Sequence, residues 1–356
     1  MQRRLTDSWQ LGPYEIPNRV LLAPLAGIGT WFVRLQARRH GAGLAVSEMV
    51  SSFAIHHRNE KTMRELLRVH PDEQAYGPVS IQLFGQDPDV MRSAAETAAQ
   101  AGAGVIDLNM GCPVPKVVKT GAGAALIKDP DTAVAVARAA VQGSGLPVTV
   151  KLRSGQRPGE TDGYALAHRL VDEAGVAAIG FHPRSAAVHH KGTPDYDLAA
   201  RLVASLGAPV ILTGGLHSTA EVVAAWEHTG AAAVMLARGS LGNPWLFEQL
   251  LGTREDEPTP AEVRAELEWL MERAVEHLGA ERGARWLRKA YPWYVARLGG
   301  DKQLNEALQR TSSTAAARDL LAATMPRPNA PRSDPHARRP GQAPGGARSP
   351  VGREAA

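Results

Sequence analysis

Apolar residues gather along this chain in eight short runs, at residues 20–27, 43–50, 78–85, 104–111, 147–153, 176–182, 209–215 and 232–239. The runs are rich in Val, Ile and Leu, and most end at Gly or Pro. Near-continuous apolar runs of this length are what parallel strands look like when both faces of the sheet are covered. Between most of them lie Ala-rich stretches with helical periodicity, such as 87–101 and 130–142. Eight strands alternating with helices predict an α/β chain folded as a (β/α)₈ TIM barrel. A doubly wound open sheet is the alternative, less favoured by the strand count.

The pattern changes after residue 251. Leu267, Leu270, Met271, Ala274 and Leu278 recur at helical spacing, and no strand-like run interrupts 259–324. This predicts a small C-terminal all-helical domain at 259–325, opened at Thr259 or Pro260 and joined to a barrel at 1–251 by a linker near 252–258. Residues 326–356 form a Pro/Gly/Arg-rich tail whose one large apolar side chain is Val351. Such a segment cannot bury a core and is expected to be disordered.

Charge adds one point. The net +4 of the chain is matched by the tail alone, where six arginines face Asp334 and Glu354. Residues 1–325 are therefore formally neutral, and any nucleic-acid site on the body must be a local basic patch. MQRRLTDSWQ has no apolar stretch behind its basic residues, which argues against a signal peptide. No run of ~18 apolar residues predicts a transmembrane helix. The single cysteine, Cys112, leaves no intramolecular disulfide. The expectation is a cytoplasmic monomer.

In a (β/α)₈ barrel the working residues stand at the C-terminal strand ends. Gln82 ends the third run, Asn109 and Cys112 the fourth, Lys151 and Arg153 the fifth, His182 and Arg184 the sixth. Thr213-Gly214-Gly215 ends the seventh and Ala237-Arg238-Gly239 the eighth. Singly, each has an ordinary reading: a lone cysteine is more often a small buried hydrophobe, and the glycines serve tight turns. Converging on one rim, they describe a site. The last two turns are where barrels commonly hold a phosphate on backbone N–H groups, with Arg238 as a charged donor. Lys151 suits a flavin, whose reduced ring carries negative charge, but phosphosugar and Schiff-base barrels also use a strand-end lysine. His56-His57 and His189-His190 are sequence neighbours without a completing ligand, so no metal is expected.

Several of these segments form a recognisable signature. Leu108-Asn109-Met110-Gly111-Cys112-Pro113, followed by Lys116-Val117 and Gly121-Ala122-Gly123-Ala124-Ala125-Leu126, resembles that of the tRNA-dihydrouridine synthases. Pro17-Asn18-Arg19, Ala23-Pro24-Leu25-Ala26-Gly27, Gln82-Leu83-Phe84-Gly85, Val150-Lys151-Leu152-Arg153 and Gly242-Asn243-Pro244-Trp245 are similar to further family segments, those of the bacterial B-type branch above all. The likeness spans roughly residues 10–300. The chain departs from the usual pattern at Pro183, Thr213, Ala237 and Ala290.

The resemblance implies reduction of the C5–C6 bond of a tRNA uridine, with FMN as cofactor and NADPH as reductant. It implies Cys112 as the proton donor and flavin contacts at Pro24, Leu25, Ala26, Gln82, Lys151, Thr213, Gly214, Gly215, Ala237 and Arg238, with Asn109 and His182 near the ring or substrate. Arg153, Arg184, Arg288 and Lys289 would face the substrate, and the helical domain would help to grip tRNA. The alternatives are an FMN-barrel reductase of a small molecule, like dihydroorotate dehydrogenase or old yellow enzyme, and an RNA-binding relative without catalysis.

Overall fold

The computed structural model describes residues 3–323, and the expected tail at 326–356 lies outside the described residues. Strands β1 (Trp9–Leu11) and β2 (Tyr14–Ile16) form an antiparallel hairpin. The sheet strands are β3 (Val20–Leu22), β4 (Val50–Ser51), β5 (Ser80–Phe84), β6 (Val105–Met110), β7 (Val148–Arg153), β8 (Ala178–His182), β9 (Val210–Thr213) and β10 (Ala233–Leu236). They form one eight-stranded parallel sheet in the order β3-β10-β9-β8-β7-β6-β5-β4. The sheet closes on itself because Leu22 bridges Ala45 and Val46 bridges Ser80. The (β/α)₈ barrel expected from the apolar runs is therefore present.

The second run differs from its expectation in shape. Ala45 and Val46 make single bridges, and regular pairing resumes only at Val50 and Ser51. Between them the chain turns aside to the loop after β3, where the Glu48 N–H donates to the Gly29 carbonyl at 3.1 Å.

Around the barrel run α1 (Trp31–Arg39), α2 (Pro88–Gln100), α3 (Pro130–Ser144), α4 (Asp162–Ala174), α5 (Tyr196–Ser205), α6 (Thr219–Thr229) and α7 (Trp245–Leu250). The side chains of Asp87, Asp129, Asp195 and Ser218 each accept from a backbone N–H of the following first turn. That satisfies a donor the helix itself cannot. Proline stands at the start of α2 and α3, where a missing N–H costs nothing.

Alternation along the strands sorts side chains to two faces. Ile106, Leu108 and Met110 of β6 join the cluster under the helices, whereas Val105 joins Ala178, Ile211, Ala233 and Leu21 in a second cluster inside the barrel. The hairpin supplies Trp9, Leu11 and Ile16 to that inner cluster and so plugs the N-terminal end of the barrel. Each such apolar side chain contributes about 1.5–3 kcal/mol on full burial. Further along the same inward rows the residues turn polar, with Gln82, Asp107 and Thr149 in register, then Asn109, Lys151 and Gly180. The barrel is thus apolar at one end and polar at the other.

The C-terminal part is helical: α8 (Pro260–Leu278), α9 (Ala280–Leu287), α10 (Tyr291–Arg297), α11 (Lys302–Arg310) and α12 (Thr314–Ala323). Thr259 caps α8 in a reciprocal box with Glu262. Leu267, Leu270, Met271 and Ala274 are buried. This part docks on α1. Phe32 meets the Trp286 ring edge-on at 4.8 Å, and Gln36 donates from Nε2 to both Glu266 Oε1 and Tyr294 OH at 2.9 Å. A second tie joins Arg282 of α9 to Glu65, in a one-turn π-helix at Thr62–Leu66, through both guanidinium nitrogens.

The hydrogen bonds of Arg282 chiefly, together with those of Arg64, overcome the effect of burial and pull the Glu65 carboxyl down to about 2 from its ordinary 4.5. A lowered native value means stability that is present above the ordinary value and lost as the pH falls through the native one. Glu65→Gln should therefore lower Tm at neutral pH, and its deficit should shrink as the pH falls from about 5 to about 3. Thermal melts over this range check it; a deficit that does not change with pH would show that the ion pair contributes nothing.

Candidate active site

The C-terminal mouth of the barrel is built on one hydrogen-bonded row of side chains. Thr149 Oγ1 donates to Asp107 Oδ1, and Gln82 Nε2 donates to Asp107 Oδ2 at 2.6 Å. Asn109 Nδ2 donates to Gln82 Oε1 at 3.0 Å. Asn109 Oδ1 then accepts from the backbone N–H groups of Gly111 at 3.2 Å and Cys112 at 2.9 Å. Gln82, Asp107 and Thr149 are all buried. Burial pushes the Asp107 carboxyl up to about 6, against the hydrogen bonds of Thr149 and Gln82 and the charge of Lys151.

Cys112 follows β6 and is partly exposed. Pro113 and Pro115 stiffen the turn behind it. Its carbonyl accepts the Ala124 N–H at 3.0 Å. Gly123 permits that approach: with φ +63, a Cβ there would stand 2.8 Å from the Cys112 carbonyl oxygen. The thiol lies within electrostatic reach of Lys151 and Arg153.

Four cations surround this mouth, and none forms an ion pair with a carboxylate among the described residues. Arg153 is held by carbonyls, with Nε to Gly111 at 3.0 Å and Nη1 to Ser185 at 3.0 Å and His189 at 2.7 Å. Arg184 gives Nε and Nη2 to the Gly192 carbonyl at 3.1 and 2.7 Å. Lys151 stands opposite Gly180, whose missing side chain leaves room for it. Burial first, then Arg153, pushes Lys151 down to about 8, with Asp107 and Cys112 opposing. Arg238 is exposed at the rim. Burial, followed by Lys151, Arg153 and Arg184, drives His182 well below its ordinary value, so its ring is neutral. Arg184 Nη1 donates to His182 Nε2 at 3.3 Å. With four cations against the single buried carboxylate of Asp107 beside Lys151, the mouth favours an anionic ligand.

The turns after β9 and β10 complete the rim. Gly214 and Gly215 have φ of +100 and +79. The Gly214 carbonyl accepts from Tyr196 OH at 3.0 Å, and its α-carbon faces the His182 ring. Thr213 is buried beside them. Ala237 leads into a short 3-10 turn at Arg238–Ser240. Pro24, Leu25 and Ala26 lie next to it, since the Ala23 N–H donates to the Leu236 carbonyl at 2.7 Å.

Arg288 and Lys289 part company. Lys289 reaches the barrel, donating from Nζ to the Gly27 carbonyl at 2.7 Å, while the Gly27 N–H donates to Glu48 Oε2 at 2.9 Å. Arg288 instead turns into the helical part, where Nη2 donates to the Thr311 carbonyl at 3.0 Å. The structure thus gathers Gln82, Asn109, Cys112, Lys151, Arg153, His182, Arg184 and Gly214 at one mouth, with Arg238 and Lys289 on its edge. Asp107, Thr149, Glu48 and Tyr196 belong to the same surroundings and are not among the residues expected from sequence. Asp107 had one available signal: it is a lone acid on the inward parity of an apolar strand. Among the described residues no three potential ligands converge on a metal site, and no helix is long and apolar enough to cross a membrane.

Comparison with known proteins shows the family of the chain. The family model described as dihydrouridine synthase matches residues 21–327. The chain is 35% identical over 313 residues to tRNA-dihydrouridine synthase B of Pseudomonas aeruginosa, covering 86% of this chain and 92% of that one. It is 35% identical over 318 residues to the probable tRNA-dihydrouridine synthase 1 of Synechocystis, covering 88% of each. Among solved structures, morphinone reductase superposes with a TM-score of 0.53 at 18% identity, over 74% of this chain and 93% of that one, a likeness of fold.

A Cβ at Gly214 would stand 2.2 Å from His182 Cδ2, on a backbone at φ +100. Gly214→Ala should therefore cost about 1–3 kcal/mol of stability, from strain and overlap together. Gly207, with nothing within 4 Å of its added Cβ, is the control, and its alanine variant should be near neutral. Urea denaturation measures both. Equal losses would show that the close packing of Gly214 on His182 carries no energy.

Proposed function

Because the chain belongs to the dihydrouridine synthase family, we propose that it reduces the C5–C6 bond of uridine in tRNA with FMN as its flavin, NADPH as reductant and Cys112 as the proton donor. The observation that carries the reading is the meeting of Cys112 with Lys151 and Arg153, with Arg184 next to Arg153, at a mouth where none of these cations forms an ion pair with a carboxylate among the described residues. These residues fit a ligand with a phosphate and a ring that becomes anionic. Pro24, Leu25, Ala26, Gln82, Asn109, Lys151, His182, Thr213, Gly214, Gly215, Ala237 and Arg238 would hold it. When bound, FMN supplies the hydride for C6 of the uracil.

The protein's own part is positioning and proton transfer. A target base inside a folded RNA must be flipped out to reach a barrel mouth, at a few kcal/mol. Arg153 braces the Cys112 loop through the Gly111 carbonyl, and Arg184 lies next to it, so the two would meet the RNA around such a base. Cys112 transfers its Sγ proton to C5, which balances the hydride at C6. His182, neutral and wedged against Gly214, adds shape and hydrogen bonding rather than charge.

The barrel, residues 1–251, carries the chemistry in this reading, and the helices of 259–325 help to grip tRNA, in a monomeric cytoplasmic enzyme. Lys289 bridges the two parts. Lys289→Ala should weaken tRNA binding and reduce the slope of log K against log salt by about 1. A slope equal to that of the native protein would place the phosphate contacts elsewhere.

The test of the central assignment is Cys112→Ala, followed by stopped flow through both half-reactions. Flavin released from the native protein should run as FMN rather than FAD. The variant should keep its flavin and its oxidation of NADPH, while reduction of tRNA falls by about 10²–10⁴-fold, the usual worth of a positioned acid. Uridine reduction at the native rate would exclude Cys112 as the donor.

A further inference from the structure

Asp107 is the one acid on the inward rows of the sheet strands, and it is buried two residues below the mouth. It does not touch the Cys112 loop. Its carboxylate can only accept hydrogen bonds, and this fixes everything above it. Gln82 must turn its amide nitrogen toward Asp107, as it does at 2.6 Å. The oxygen of Gln82 then faces Asn109, so Asn109 must present its nitrogen, at 3.0 Å. The oxygen of Asn109 is left facing the loop, where it accepts from Gly111 at 3.2 Å and Cys112 at 2.9 Å. Turning either amide over would set two donors or two acceptors against each other in a buried site, which costs more than a lost bond. Thr149 holds the other carboxylate oxygen and leads nowhere further.

We infer that Asp107 is a positioning residue for Cys112, acting through the amides of Gln82 and Asn109 to fix the backbone that carries the thiol. The consequence for catalysis rests on Cys112 being the proton donor; the positioning itself does not.

Cys112 is the only cysteine, so alkylation of the full-length protein by iodoacetamide reads this loop alone, with or without flavin. Asp107→Leu removes both acceptors at similar volume. Alkylation should quicken about tenfold, the worth of the one to two hydrogen bonds that hold the loop, and kcat on tRNA should fall with KM little changed. Asp107→Asn keeps an oxygen for Gln82 and can turn its nitrogen to the Thr149 hydroxyl, so it should react near the native rate. Thr149→Val lowers stability but leaves the chain of amides intact, and its alkylation rate should not move. Gln82→Leu breaks the same chain one link on, so Asp107→Leu combined with Gln82→Leu should be no faster than either alone. Should Asp107→Leu fail to fold, Asp107→Ser, too short to reach Gln82, gives the same reading. A folded Asp107 variant without an acceptor for Gln82 but with native alkylation overturns the inference, and so do additive effects in the double variant. Quickened alkylation with native tRNA reduction would uphold the positioning and remove Cys112 from the chemistry.

Discussion

The parallel register of the eight strands decides which side chains meet inside the barrel. Gln82 stands beside Asp107 and Asp107 beside Thr149, because β5, β6 and β7 pair in that register. One step along, Asn109 stands beside Lys151 and Lys151 beside Gly180. A slip of one residue in β6 would turn Asp107 and Asn109 outward under the helices and bring Ile106 and Leu108 into the lumen. The register is secured from outside, where those same apolar residues pack under the helical layer. The polar interior is therefore a by-product of the apolar exterior, and the mouth inherits its precision from packing that never touches a ligand.

The joint between barrel and helical part is polar as well as apolar. Glu266 receives Gln36 and Arg39 from α1 and lies 3.5 Å from His40, which also bonds Glu248 at 2.7 Å. Arg39 also lies over the Trp269 ring at 4.2 Å. Buried polar groups of this kind add little net stability but penalise wrong alignments, since a misplaced helix leaves them unpaired. They hold Lys289 at the rim, where its ammonium meets Gly27.

Much of this was legible in the sequence. Each of the eight strands falls in or at the edge of an apolar run, and Thr259 caps α8 where its spacing suggests. What the sequence hid, it hid for physical reasons. The hairpin strands at Trp9–Leu11 and Tyr14–Ile16 are three residues each, too short for a period to register. The break after Val46 depends on a contact with Gly29, which no local pattern announces. Asp107 and Thr149 are single polar residues within apolar strands, and only the closed sheet shows that they face each other. Arg288 and Lys289 are neighbours in sequence, yet they stand in the turn between α9 and α10, which sends one to Thr311 and the other to Gly27. The rim residues were readable because chemistry in this fold concentrates at strand ends.

The hairpin at the far end decides how the mouth can be reached. With Trp9, Leu11 and Ile16 filling the lumen at that end, the barrel is a cup rather than a tube. Whatever comes to lie beside Lys151 and Cys112 enters and leaves over the same rim.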